Sequence, residues 1–242
     1  AFYGRNIPID VLRYDQDLSS YDLIITPCLY QMRGDLSERI RAHVQKGGTL
    51  LTSVFSGIAK ENDQVILGGY PGGLREVLGI WIEETDALPP HMNNRMHILP
   101  STKFSQDSYA CSMLYDLIHL EGAEALAVYE KEFYAGMPCA TVHTYGKGKA
   151  YYVGTDPEQA FIDELSGQLC QDLGLQAPLE VPDGVECTKR DTGERSFYFL
   201  INHRSDAVTI QLPRAFSNAF TGETWQGERQ LAAGDTWILE GQ

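Results

Sequence analysis

Ser53 and Ser56 follow the apolar run Thr49-Leu50-Leu51-Thr52, and a turn leaving a buried strand is where an α/β sheet can hold a nucleophile in the open. A reactive serine there needs a glycine two residues ahead, to make the G-x-S-x-G elbow, and a base within reach of its hydroxyl. Neither serine has that glycine. A thiol version of the same machinery, as in a glutamine amidotransferase, needs a cysteine at the turn and a His-x-Glu pair further on. The turn has no cysteine, and His143 is followed by Thr144 and Tyr145. Both serines are read as structural.

Other constellations fall short in similar ways. Gly68-Gly69-Tyr70-Pro71-Gly72-Gly73 has the glycine content of a phosphate cradle but lacks the Lys-Ser/Thr that completes a P-loop, so it reads as a shaped loop leading into a short helix from Leu74 to Leu78. His91 and His97 bracket Asn93-Asn94-Arg95 at a spacing that matches no common zinc pattern, with no cysteine nearby. Glu83-Glu84-Asp86 and Glu130 with Glu132 could be paired carboxylates, although charge runs more often mark a solvated face. Trp225, Trp237 and Tyr198 could stack on sugar rings or be half-buried residues of a small sheet. No catalytic residue, cofactor site or metal site is assigned.

Composition narrows the partners. The 242 residues are 43% apolar, enough for a sizeable core, and 19 Lys and Arg against 33 Asp and Glu give a formal charge of -14. Such a chain repels phosphates, which argues against nucleic acid and anionic membranes as partners. The five cysteines are scattered without a C-x-x-C, which fits a reduced, cytoplasmic setting. No run reaches the ~18 apolar residues of a membrane span, and the amino terminus carries no signal-peptide pattern. Phe2-Tyr3-Gly4-Arg5-Asn6 reads as the end of a helix whose start lies upstream.

The elements follow from periodicity. Leu23-Ile24-Ile25-Thr26, stopped by Pro27, reads as a strand covered on both faces. Asp35 stands at an N-cap position with Glu38 three residues on, and Leu36, Ile40 and His43/Val44 recur at helical spacing until Gly47-Gly48. Thr49 to Val54 is the next strand, so this stretch is a βαβ unit with parallel strands. Ala140 to Thr144 and Ala150 to Gly154 flank Gly146-Lys147-Gly148 as a hairpin. Asp156-Pro157 reads as cap and first residue of a helix that carries Phe161, Leu165, Leu169 and Leu173 on one face up to Gly174. Beyond Pro178 the helical period vanishes, and Phe197 to Ile201, Val208 to Leu212 and Trp237 to Leu239 read as short strands. The expectation is two domains, 1–178 as an open α/β sheet and 179–242 as a small antiparallel β domain.

Ordered blocks then carry a resemblance. Gly47-Gly48-Thr49-Leu50-Leu51-Thr52 through Ser56-Gly57, Glu61-Asn62-Asp63, Gly68-Gly69-Tyr70-Pro71-Gly72 and Leu74-Arg75-Glu76-Val77-Leu78-Gly79 resemble the middle domain of glycoside hydrolase family 42 β-galactosidases. So do Asp116 to Glu124, Phe133-Tyr134-Ala135-Gly136 and Gly146 to Thr155; Phe199-Leu200-Ile201-Asn202-His203 and Thr221-Gly222-Glu223 resemble that family's C-terminal β domain. The resemblance implies a class I glutamine amidotransferase-like (flavodoxin-like), mostly parallel sheet, lacking its first strand, then an antiparallel domain. It implies a C-terminal portion of an enzyme that hydrolyses terminal β-D-galactosides with retention, a reaction needing two carboxyls about 5 Å apart. Those would sit on a (β/α)₈ barrel of ~250 residues, for which this chain has no room, and the family's Asn-Glu acid/base dipeptide does not occur in it. The galactoside would therefore meet only the absent barrel. The implied role is homotrimer assembly, with Asn62, Asp63, Gly68, Gly69, Tyr70, Pro71 and Gly72 as the candidate subunit interface. Two alternatives are a free-standing carbohydrate-binding module and an amidotransferase-like hydrolase with an unrecognised nucleophile.

Overall fold

The computed structural model describes all residues except Ser101 and Gln242. It divides into two compact units, residues 12–165 and residues 1–11 with 166–242.

The larger unit is built on one mixed sheet. β1 (Leu23–Thr26), β3 (Thr49–Ser53) and β10 (Gly148–Val153) run parallel in register, Ile24 opposite Leu50 and Leu50 opposite Ala150. Helix α1 (Leu36–Lys46) crosses between β1 and β3, so the expected βαβ unit is present. It buries Leu36, Ile40 and Val44 in a cluster with Ile24, Leu50, Ala150 and Tyr152. Gly47 ends the helix at φ 122°, its N–H donating to the His43 and Val44 carbonyls. Asp35 does stand at the N-cap, but its carboxylate makes no capping bond and pairs instead with Arg39 one turn on, at 2.9 Å. β1 is an edge strand and its Ile25 is exposed, so this run is covered on one face rather than on both.

Beyond β10 the sheet continues in antiparallel pairs. β9 (Pro138–Tyr145) closes the expected hairpin with β10, and the order runs on through β8 (Glu124–Tyr129), β6 (Asn94–Ile98), the 13-residue β7 (Ser108–Leu120) and β11 (Thr155–Pro157). β5 (Ile80–Ala87) pairs with β7 off this path. The short α2 (Arg75–Leu78) precedes β5, as the sequence suggests. Asp156 and Pro157 do not open a helix: they pair with Ser112 and Cys111 in β11, and α3 (Gln159–Leu173) starts after them. Proline is tolerated there because β11 is an edge strand that needs no further donor.

The smaller unit carries a separate antiparallel sheet, in the order β12 (Val185–Asp191), β13 (Ser196–Asn202), β16 (Thr236–Gly241), β14 (Val208–Asn218) and β15 (Thr224–Leu231). Alternation buries Tyr198, Leu200, Ile210, Leu212, Trp237 and Leu239 in one core. An α/β domain followed by a separate antiparallel sheet is the fold class expected from the sequence; the expected mostly parallel sheet is a mixed one, parallel in its core of β1, β3 and β10 and extended by antiparallel pairs.

Candidate subunit interface

The residues singled out in the sequence meet beyond the C-terminal ends of β1 and β3. After β1 the chain turns sharply at Cys28, φ 47°; after β3 it turns at Phe55, φ 66°. Neither residue is glycine, and a left-handed conformation costs a side-chain-bearing residue roughly 1–2 kcal/mol, so surrounding contacts must hold both turns. They are visible. Leu29 N–H donates to Ser56 Oγ at 3.0 Å, Cys28 N–H to Ser53 Oγ at 3.0 Å, and Ser56 Oγ to the Ser53 carbonyl at 2.6 Å. Thr52 Oγ1 lies 3.0 Å from Ser56 Oγ and donates to the Thr26 carbonyl. Ser56 is fully buried. Both serines therefore stitch the two turns together, and no acid or histidine among the described residues is hydrogen-bonded to either.

Cys28 is the residue that sequence reasoning missed. Attention fell on the turn after β3, whereas the thiol stands at the turn after β1, exposed, with its Sγ 3.8 Å from Ser53 Oγ. Pro27-Cys28 directly after an apolar run was the available signal. The other four cysteines are buried and unpaired. Burial raises the Cys111 thiol to about 12 and the Cys187 thiol to about 11, and it pushes Cys139 and Cys170 upward as well.

The two turns continue into loops laid side by side. β2 (Gln31–Met32) and β4 (Ala59–Lys60) form a two-strand parallel ladder, Gly57 N–H donates to the Leu29 carbonyl at 2.8 Å, and Ile58 and Ala59 donate to the Tyr30 carbonyl at 3.0 Å each. Gln31 Nε2 donates to the Asp63 carboxylate, and Arg33 donates to Gln31 Oε1. The return of the long loop is fixed by Gly72 N–H on the Gly57 carbonyl, 2.8 Å, and by a mutual pair between Tyr70 and Ile82. Tyr70-Pro71 is a cis peptide.

Within this frame the seven candidate residues separate. Asn62, Asp63 and Gly68 are exposed, Gly69 and Tyr70 are half-buried, and Pro71 and Gly72 are buried within the chain. The exposed tip also presents Val65 and Leu67, the latter 88% exposed. Beside it Tyr30 and Phe55 stack at 6.0 Å between centroids, each more than a third exposed. The loop pair thus offers apolar side chains to solvent.

The glycine run is filled by its own chain: Trp81 lies over Gly69, Ile66 over Gly72, and the Arg75 guanidinium is taken by the Gly68 carbonyl and the Glu121 carboxylate. His91 and His97 are exposed and are not brought together with other ligands; no group of three His, Cys, Asp or Glu able to hold a metal occurs among the described residues. Glu83 pairs with His119 at 2.8 Å, while Glu130 binds Ser108 and lies near Arg95, on different strands. In the smaller unit Trp225 packs edge-on against the buried Trp237 at 5.1 Å with Arg229 over its ring, and Tyr198 is buried. That leaves no open aromatic face for a sugar among these three.

Comparison with known proteins bears on the whole chain. Residues 1–176 match the family described as beta-galactosidase trimerisation domain. Beta-galactosidase BgaA of a Planococcus species is 45% identical over 99% of the chain, and BgaB of a Geobacillus species 40% identical over 98%. The crystal structure of a beta-galactosidase from Bacillus circulans superposes over the whole chain with a TM-score of 0.94 at 38% identity. A catalytic mutant of Gan42B, a GH42 beta-galactosidase from G. stearothermophilus, covers 99% of the chain with a TM-score of 0.90 at 33% identity. The chain spans only about a third of each relative's length: 36% of BgaA, 35% of BgaB, 36% of the Bacillus circulans enzyme and 34% of Gan42B. It belongs to the β-galactosidase trimerisation domain family, within glycoside hydrolase family 42.

Proposed function

We propose that this chain is the non-catalytic, C-terminal assembly portion of a cytoplasmic β-galactosidase, holding three copies of the parent together. Residues 1–178 form the assembly domain and 179–242 the small β domain. The galactoside is cleaved by carboxylates on a barrel outside this chain, about 5 Å apart as retention requires. The observation that carries the reading is the family match to a trimerisation domain over residues 1–176. The unpaired cysteines support a reducing compartment, and no helix among the described residues is long and apolar enough to cross a membrane.

The loop tip at Asn62, Asp63, Gly68 and Gly69, backed by Tyr70, Pro71 and Gly72, supplies the contact between copies. Its support is geometric: the buried end of the loop fixes the exposed end, so an interface there loses little conformational entropy on docking. Asp63→Lys with Leu67→Glu in the full-length enzyme is expected to weaken the trimer about tenfold or more, read by sedimentation over a dilution series. An unchanged trimer removes the loop from the interface. A full-length enzyme that is monomeric before any substitution refutes the assembly role, and turnover of a nitrophenyl β-galactoside by the 242-residue chain alone refutes the non-catalytic one.

A further inference from the structure

Asp116 is 1% exposed on β7, and no lysine, arginine or histidine among the described residues pairs with it. A buried carboxylate normally has a cation or several N–H donors. Here it has two hydroxyls. Thr85 Oγ1, directly opposite on β5, donates at 2.6 Å, and the Tyr152 hydroxyl on β10 donates at 2.6 Å. The charged groups of the surrounding elements act on its neighbours and not on Asp116 itself, Asp86 on β5 and Asp156 on β11 on Tyr115, Arg95 on β6 and Glu130 after β8 on Cys111; the buried groups around the carboxyl are weak acids. From β8 the buried Tyr129 hydroxyl donates to the Asp116 and Gly154 carbonyls; from β9 the buried Cys139 carbonyl accepts from Gly154 N–H; on β7 itself lie Tyr115 and Cys111. Burial drives Tyr129, Tyr152 and Cys139 well above their ordinary ranges and raises Tyr115 and Cys111, so all five stay neutral through the mildly acidic and neutral range. Asp116 is the one group of this cluster left to change charge there.

We propose that the Asp116–Thr85–Tyr152 cluster is a pH-sensitive device in the α/β unit, which is tighter when the carboxyl is protonated and looser when it carries an uncompensated charge. The three residues tie β5, β7 and β10 together across the sheet. Thr85 is also where the β5–β7 ladder resumes after its register shift, so the carboxyl pins a strand at its irregular point. Ionised, the carboxylate accepts from both hydroxyls but pays for its desolvation; protonated, it carries no charge and one hydroxyl can turn to accept from it.

Desolvation raises the Asp116 carboxyl to about 6, against the lowering effect of Thr85 and Tyr152. The folded state therefore holds this proton more tightly than the unfolded chain. The resulting stabilisation is fully present below the ordinary aspartate value near 4 and is lost as the pH rises through about 6. Between pH 5 and pH 8 the folding equilibrium should fall about tenfold on this account alone.

The test is urea unfolding of the full-length enzyme, read by hydrogen exchange at the β5, β7 and β10 amides, from pH 5 to pH 8 beside Asp116→Asn, which keeps the shape and cannot ionise. The ratio of the two folding constants is expected to change about tenfold across that window, with the wild type losing ground as the pH rises. A ratio that stays constant overturns the proposal. If Asp116→Asn does not fold, ¹³C NMR titration of the carboxyl in the unaltered full-length enzyme decides: a midpoint near 6 supports the device, and one near 4 overturns it. Tyr152→Phe removes one donor to the charged form, so its midpoint should move higher; a fall would contradict the assigned hydrogen bond.

Discussion

Gly57 and Gly68 lie on the same long loop, both with positive φ, 67° and 99°, and differ in what surrounds them. A Cβ at residue 57 would stand 2.6 Å from Gly72 N, 2.8 Å from Gly72 O and 2.8 Å from the Pro71 carbonyl carbon, all backbone atoms with no rotamer to escape into. A Cβ at residue 68 would meet nothing within 4 Å. Alanine at either position carries the left-handed penalty, about 1–2 kcal/mol. Only Gly57→Ala must also push two chain segments apart by about 0.8 Å to reach ordinary contact, an overpacking cost of about 1–3 kcal/mol. Gly68→Ala should therefore lose about 1–2 kcal/mol and Gly57→Ala about 2–5 kcal/mol. A gap of 1 kcal/mol corresponds to about 2–4 °C in Tm for a chain of this size. Thermal or urea unfolding of the two variants in one buffer reads it directly. Hydrogen exchange gives a local check, because Gly72 N–H bonds the Gly57 carbonyl at 2.8 Å and should lose protection only in Gly57→Ala. Equal losses for the two variants would refute the claim that the Gly57–Gly72 contact clamps the loop.

Ser56→Ala should cost about 2–3 kcal/mol in unfolding free energy, because it strands the Leu29 N–H and the Ser53 carbonyl in a site with no exposure; a loss under 0.5 kcal/mol would show that the turns do not depend on that hydroxyl. Of the five thiols, Cys28 alone should react promptly with a thiol reagent in the folded chain at pH 8, since the other four are buried and their pKa values are raised. Mass spectrometry after a short labelling pulse checks this, and modification of Cys139 at a similar rate would contradict the burial of the sheet centre.

What was legible in the sequence was whatever one local signal decides. The β1-α1-β3 unit stood out because its strands are short apolar runs and its helix keeps one buried stripe to Gly47. The β9–β10 hairpin stood out because Gly146-Lys147-Gly148 names the turn. By contrast β5 carries Glu83, Glu84 and Asp86, and a charge run hides a strand whose first residues, Ile80 and Ile82, are buried while Glu83 and Glu84 face outward and Asp86 is half-buried beside Tyr115 and Tyr134. β15 hides for a similar reason: Gln226, Glu228 and Arg229 belong to an edge strand that turns only Leu231 and the half-buried Trp225 to the core. Asp156-Pro157 misled because cap chemistry is local, whereas its strand state is imposed by β7, more than forty residues earlier in the chain.

The loop cluster shows why the same turns could suggest chemistry and yet be built for something else. A nucleophile turn needs a hydroxyl or thiol left free for a base; here Ser53 and Ser56 spend their oxygens on backbone N–H groups of the neighbouring turn, and Ser56 its proton on the Ser53 carbonyl of its own. That expenditure holds Phe55 and Cys28 at positive φ and keeps Tyr30 stacked on Phe55 in the open. In an enzyme the strain of such turns would orient a reactive atom. In this chain it holds the Tyr30–Phe55 pair in the open, and the serines that looked like candidates for catalysis are the fasteners of the two turns that carry it.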